Sequence, residues 1–261
     1  MPRTLTEPGL NRLSREAWAL IDAADMIVAD LDGCLAVDQL PLPGAADFVR
    51  RTAARLVVAS NNSTHSARQL AERLRCNGLP LAGARLVLAG ELAVQLVARQ
   101  RPGARVMLLG TEVIREAAQR AGLQLVEEAP QVVLLTRALD LGWRQLEAAV
   151  AALHAGAALV VANPDLSHPG AAGVPRIETG ALLALLRSVL PRLQAVVVGK
   201  PEQPMFRAAL ALGGVEPGRA VMIGDNVATD IAGAQAIGMH AIHLAATRSA
   251  PAQALALAAG S

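Results

Sequence analysis

Two aspartates two positions apart, Asp30-Leu31-Asp32, followed by Gly33, can bring a pair of carboxylates to one reacting centre. On a continuing strand they would point to opposite faces, but Gly33 permits an immediate turn that sets one carboxylate at the centre and the other beside it. Read alone, the pair also suits loop acids that cap a helix. A calcium loop does not fit, because its sixth and twelfth positions are Leu35 and Pro41 instead of Gly and Glu. A second acidic stretch, Gly224-Asp225-Asn226-Val227-Ala228-Thr229-Asp230, would repel the first at a shared sheet edge unless a cation intervened. All-oxygen ligation suits Mg²⁺, with Asp30 and Asp225 as ligands. The alternative is that Asp225 caps the following helix, while Asp230 is a solvated first-turn acid or orients a neighbour.

Lys200 ends a run of three valines, which is not where a surface lysine is expected. Held near carboxylates, it would keep a nucleophile aligned and charged and bind a phosphoryl oxygen. A nucleotide-type phosphate loop is excluded, since Pro201 follows Gly199-Lys200. Ser60-Asn61-Asn62-Ser63-Thr64 offers a hydroxyl and outward N–H groups for a phosphate at a helix start, or helix capping by Ser63 or Thr64.

The elements that must position these groups are short apolar runs at 26–30, 55–60, 195–200 and 220–225, each stopping at a polar residue. They predict buried parallel strands, alternating with helical patterns such as 63–74 and 204–212. In an open parallel sheet the carboxyl ends share one edge, so Asp30, Ser60, Lys200 and Asp225 should converge there. Between Ser60 and Lys200 lies a further α/β pattern, with strand-like runs at 85–88, 105–109, 132–136 and 158–162 and helices at 91–99, 112–121 and 144–154. It predicts an inserted α/β domain, hinged at 77–83 and 167–175. The expected division is a core from 1–79 and 179–261 with a cap from 80–178.

At 261 residues the chain suits a core plus a second unit, and its 53% hydrophobic content can fill both. Net charge is +2, and Phe48, Phe206, Trp18 and Trp143 are its aromatics, so base stacking and a basic stripe for nucleic acid are not expected. Two cysteines, Cys34 and Cys76, suit a reducing cytoplasm. The N-terminus has no apolar core of signal-peptide length, and the apolar stretch at 148–162 is interrupted by His154, so neither export nor a membrane span is expected.

The four strand ends, in this order, resemble the four motifs of the haloacid dehalogenase superfamily. Ser60-Asn61-Asn62-Ser63, Asn163-Pro164-Asp165, Gly199-Lys200-Pro201 followed by Met205-Phe206, and Gly224-Asp225-Asn226 with Thr229-Asp230-Ile231 are similar to its subclass IIA, the group of p-nitrophenyl, phosphoglycolate and pyridoxal phosphatases. The likeness runs from about residue 26 to 239. It implies a Rossmann-like doubly wound core with an α/β cap, Asp30 as nucleophile, Asp32 as general acid and base, and phosphate held by Ser60, Asn61 and Lys200. It further implies Mg²⁺ held by Asp30, the backbone carbonyl of Asp32, and Asp225, with Asp230 and Asn226 supporting them. The sequence departs from the subclass pattern at Arg176-Ile177-Glu178-Thr179-Gly180 and at His243-Leu244-Ala245-Ala246-Thr247.

The reaction so implied is hydrolysis of a small-molecule phosphate monoester through an aspartyl phosphate. A phosphomutase, or a silent metal- or ligand-binding module, would share the site. Asn163 and Asp165 are the expected specificity surface of the cap, with His65, Arg137, His168 and Arg176 as further candidates by position. Arginine would suit a second anionic group on the substrate. Cys34 would make the enzyme oxidation-sensitive or be a small buried side chain. The sequence does not fix an oligomeric state, although caps of this subclass often mediate dimers, and the resemblance thus allows a homodimer through the cap.

Overall fold

The computed structural model describes residues 2–81, 85–169 and 174–245. The chain begins with β1 (Thr4–Glu7), α1 (Arg15–Ala23), β2 (Met26–Ala29), the short pair β3 (Ala36–Val37) and β4 (Leu40–Pro41), α2 (Ala45–Thr52), β5 (Leu56–Ser60), α3 (Ala67–Cys76) and β6 (Leu86–Leu88). Then come α4 (Ala89–Gln100), β7 (Arg105–Leu109), α5 (Glu112–Arg120), β8 (Gln124–Leu125), β9 (Val132–Leu135), α6 (Trp143–His154), β10 (Ala158–Val161), β11 (Ser167–Pro169) and β12 (Pro175–Ile177). The last elements are α7 (Thr179–Val189), β13 (Ala195–Val197), α8 (Gln203–Ala211), β14 (Ala220–Gly224), α9 (Ala232–Ala236) and β15 (His240–Leu244).

Six strands form one parallel sheet in the order β1-β15-β14-β2-β5-β6. β2, β5 and β14 are buried at every residue, as strands covered on both faces must be. Side chains alternate between those faces: Ile27, Ala29, Val58 and Ile223 meet α1, α2 and α3, while Met26, Val28, Val57 and Met222 meet α4 and α8. From β2 the chain proceeds outward through β5 and β6, and returns later to β14 on the other flank. The boundary between β2 and β14 is therefore where the winding reverses, the place at which open α/β sheets bind ligands.

A second sheet has the order β13-β10-β9-β7-β8, all parallel. Two strands sit in sheets other than those expected. The run at 85–88, predicted for the inserted domain, yields β6 on the edge of the first sheet beside β5. The run before Lys200, predicted for the core, yields β13 on the edge of the second sheet beside β10. Short apolar runs in two parallel sheets look alike in sequence, so composition carries no sheet address. Helix α7 packs on β10 and β11, with Leu183 and Leu186 buried among Val133, Leu135 and Val161, so it too belongs with the second sheet.

The expected hinge at 167–175 is in part an antiparallel hairpin, β11 against β12; within the expected hinge at 77–83, residues 82 and 83 lie outside the described residues. Helix α4 packs against β6 and α8 on one side and α5 and β10 on the other. One apolar cluster runs through it from Val28 and Val57 to Val132, Leu134 and Val160, joining the two sheets by a common core. The N-terminal strand β1 was not foreseen; its edge position leaves it largely exposed and without a hydrophobic signal.

Candidate active site

Asp30 follows β2 and its N–H donates to the Ile223 carbonyl at 2.8 Å, which carries the strand pairing one residue beyond β2. The chain then doubles back: Leu35 and Ala36 N–H groups both donate to Leu31 O at 2.9 Å, and Gly33 N–H to Ala36 O at 2.8 Å. Gly33 takes φ +91°, and a Cβ there would lie 2.3 Å from Asp225 Oδ2. Glycine is thus required twice, for the turn and for the approach of Asp225 from the neighbouring strand.

After Asp225 the chain makes a wide turn over Val227–Ile231. Asn226 caps it, its side-chain oxygen accepting from Ala228 N–H at 2.9 Å and Thr229 N–H at 3.3 Å. Asp230 is carried back beneath Asp225, with no solvent exposure. Its Oδ2 accepts the Asn226 N–H at 3.1 Å and its Oδ1 lies 2.7 Å from Lys200 Nζ. Lys200, itself buried, also pairs with Asp30 Oδ1. Carboxylate oxygens of Asp30, Asp225 and Asp230 all lie within 4.8 Å of one another.

Burial pushes the Asp30 carboxyl well up; Lys200 opposes that, and Asp230 and Asp32 add to it. Asp225 is likewise raised by burial and then by Asp230. Burial would lower the Lys200 ammonium, but Asp230 and Asp30 outweigh it and raise it, so the lysine is a fixed cation. Asp32 opens onto water, yet the walls around it desolvate the carboxyl enough to raise it too. These groups form one end of a cavity of about 400 Å³ that also takes in Ser60, Asn61, Thr64, His65, Arg137, Asp165, His168 and Glu178.

A family model described as haloacid dehalogenase-like hydrolase matches residues 27–124, and a second of the same type matches 197–259. The crystal structure of a glycerol phosphate phosphatase from Mycobacterium tuberculosis in complex with magnesium is 31% identical, with TM-score 0.79 over 86% of this chain and 69% of that one. The chain belongs to the haloacid dehalogenase-like hydrolases. This hydrolase is also similar to the p-nitrophenyl phosphatase of Archaeoglobus fulgidus, at 28% identity and TM-score 0.79 over 84% of this chain and 85% of that one. It is 32% identical, over 82% of its own length, to the D-glycerol 3-phosphate phosphatase of Mycobacterium tuberculosis, and spans 61% of that relative. These relatives fall within the group to which the motifs pointed.

The hydrolase brings Asp30, Asp32, Ser60, Lys200 and Asp225 together as the motif order implies. Lys200 arrives from the end of the second sheet's edge strand and not from a strand of the first. Ser60 is buried; its Oγ accepts the Asn62 N–H at 3.1 Å and lies 3.5 Å from Asp32 Oδ2. Asn61, expected to hold phosphate, spends its carboxamide elsewhere: Oδ1 accepts the Lys200 N–H at 2.8 Å, and Nδ2 donates to Lys200 O at 3.0 Å and Asp165 Oδ2 at 2.9 Å. It clamps the lysine main chain.

Asn163, expected on the specificity surface, is fully buried and donates to Asn61 O at 2.8 Å, while Asp165 does line the cavity. Helix α3 is capped by Ser66 in a reciprocal pair with Gln69, and not by Ser63 or Thr64. Arg176 stands exposed on the hairpin, away from the cavity. Cys34 is buried, and burial pushes its thiol well up, which leaves it a packed side chain and not a reactive one. Glu178 was missed as a site residue; the only sequence signal was that it falls where the chain departs from the subclass pattern.

Proposed function

We propose that this chain is a Mg²⁺-dependent phosphatase acting on small-molecule phosphate monoesters. The observation that carries the reading is the cluster at the strand-reversal point, where a fixed lysine cation and the carboxylates of Asp225 and Asp230 surround Asp30 while Asp32 stands beside it in the cavity. The donor set fits Mg²⁺: crowded carboxylates pushed up by burial call for a hard cation. Asp30, Asp225 and the main-chain carbonyl of Asp32 would hold it, and Asp230, already committed to Lys200 and Asn226, would position the lysine. Bound there, Mg²⁺ supplies charge neutralisation to the carboxylates and to the phosphoryl oxygens.

Asp30 attacks phosphorus, forming its O–P bond as the bond to the alcohol oxygen breaks, and Asp32 gives that oxygen a proton. The raised pKa of Asp32 keeps this proton available at higher pH than an ordinary aspartate would. Asp32 then takes a proton from water, which attacks phosphorus and releases Asp30. Lys200 and the Ser60 hydroxyl meet the phosphoryl charge.

The functional units we propose are a core bearing β1 to β6 with β14 and β15, and a cap from α4 to β13 that covers the leaving group. A cytoplasmic enzyme fits the unpaired Cys34 and Cys76. Dimerisation through the cap is supported by the outer edge of β13, which pairs with no other strand among the described residues and where Val196 is exposed. Among the described residues no helix is long and apolar enough to cross a membrane.

The test is inorganic phosphate release from a panel of sugar, polyol and nucleoside phosphates and p-nitrophenyl phosphate. Mg²⁺-dependent release abolished in Asp30→Asn is expected. Release that persists in Asp30→Asn, or stoichiometric return of phosphate to the sugar, would overturn the reading.

A further inference from the structure

The cavity holds residues that no step of this hydrolysis uses. Glu178, at the N-terminus of α7, places Oε1 3.3 Å from Arg137 Nε and 2.7 Å from His168 Nδ1. The Glu178 side chain is only 14% exposed and burial pushes its carboxyl up, opposed by Arg137 and His168. Arg137 is fixed at its main chain, whose N–H donates to Ser63 Oγ at 3.0 Å. Asp165 is held beside them by Asn61.

The charge balance here is decisive for a leaving group. The Arg137 guanidinium is already met by Glu178, and Asp165 adds a second carboxylate. Burial lowers the His65 imidazole, with Arg73 and Arg137 acting in the same sense, so it is neutral at neutral pH. Even with His168 counted as a cation, two positive groups face two negative ones, and Asp38 lines the same cavity. Among the described residues that line this part of the cavity, a carboxylate or second phosphate on the substrate would find no uncommitted cation. A hydroxyl finds partners of both kinds. Asp165 and Glu178 accept, while Arg137 and His168, whose Nε and Nδ1 are closed off against Glu178 Oε1, line the cavity with their remaining side-chain nitrogens, which can meet an incoming oxygen.

Resting on the phosphatase reading, we propose that the leaving-group site is built for a small neutral polyol and that Glu178 excludes substrates carrying a second anion. The cavity of about 400 Å³ lies toward the small end of ligand sites, in keeping with an alcohol of a few carbons. The arginine that suggested an anionic substrate is thus turned by Glu178 into a group for neutral oxygens.

The experiment compares kcat/KM, in Mg²⁺, for glycerol 3-phosphate and 3-phosphoglycerate, which differ in a terminal CH₂OH or carboxylate, with p-nitrophenyl phosphate alongside. The wild-type enzyme should favour the neutral ester by roughly 100-fold, since opposing like charge is a strong filter. Glu178→Gln keeps shape and helix-capping oxygen but releases Arg137, and should narrow the ratio by about 10-fold or more. Turnover of p-nitrophenyl phosphate with a wild-type ratio near one, or favouring the acid, overturns this inference and spares the phosphatase reading. A ratio unmoved in folded Glu178→Gln overturns the role of Glu178. No turnover of any of the three esters overturns both readings.

Discussion

Replacing Gly33 by alanine separates backbone strain from damage to the site. The left-handed conformation at φ +91° costs an L-residue about 1–2 kcal/mol. The new Cβ would also lie 2.3 Å from Asp225 Oδ2 and 2.8 Å from Oδ1, against a normal carbon–oxygen contact of about 3.3 Å. Asp225 must therefore retreat by about 1 Å, a displacement that costs on the order of 10²-fold in rate at a preorganised site. Gly78 supplies the control, because it has the same φ of +91° with nothing within 4 Å of its would-be Cβ. Gly78→Ala should lower Tm by about 2–8 °C at full activity. Gly33→Ala should lower Tm at least as much, reduce kcat/KM on p-nitrophenyl phosphate by about 100-fold and raise the Mg²⁺ concentration for half-activation. Both variants would be followed by thermal unfolding and by phosphate release against Mg²⁺. Full activity with an unchanged Mg²⁺ response in Gly33→Ala would refute the placement of Asp225 beside this turn.

Other consequences can be measured on the same protein. Asp30, Asp32 and Asp225 are all raised by burial, so the metal-free folded state binds protons more tightly than the unfolded one. Stability is therefore fully present below the ordinary carboxylate range and is lost as pH rises through the raised values. Tm in chelator should fall from about pH 4 towards neutrality, and Mg²⁺ should raise it far more at neutral pH than at pH 4; equal shifts at both would contradict this. Lys200→Met leaves Asp30 and Asp230 buried without their cation and should cost about 3–5 kcal/mol in denaturant unfolding, with activity lost. Asn61→Ala removes both main-chain bonds to Lys200 and should cost about 1–3 kcal/mol and lower kcat more than it raises KM.

The convergence of Asp30, Ser60 and Asp225 was legible because each ends an apolar strand of the first sheet with a polar residue, and strand ends at one sheet edge converge whatever their separation in sequence; Lys200 meets them from the second sheet instead. Sheet membership was not legible. Runs at 86–88 and 195–197 are equally short and apolar, and only pairing with β5 and β10 distinguishes them. Asparagine roles were hidden for a different reason. Asn61 and Asn163 carry the same amide, and whether it faces a ligand or clamps a main chain is decided by partners more than 100 positions away. The alternatives for Asp225 and Asp230 could not be separated in sequence, since a capping acid and a ligand share one motif. The structure separates them by giving the cap to Asn226 and burying Asp230 against Lys200. Glu178 was invisible because its meaning lies in Arg137 and His168, which come from other elements.

The central claim is that Asp30 carries the phosphoryl group, and its most direct test is to trap it there. Asp32→Asn should slow turnover by about 10²–10⁴-fold by removing the proton carrier. Acid-quenched samples of that variant taken during turnover, digested and analysed by mass spectrometry, should show one phosphoryl group on Asp30 that chases to inorganic phosphate. Phosphate released with no modified peptide at any time, or a phosphoryl group on another residue, would contradict the account.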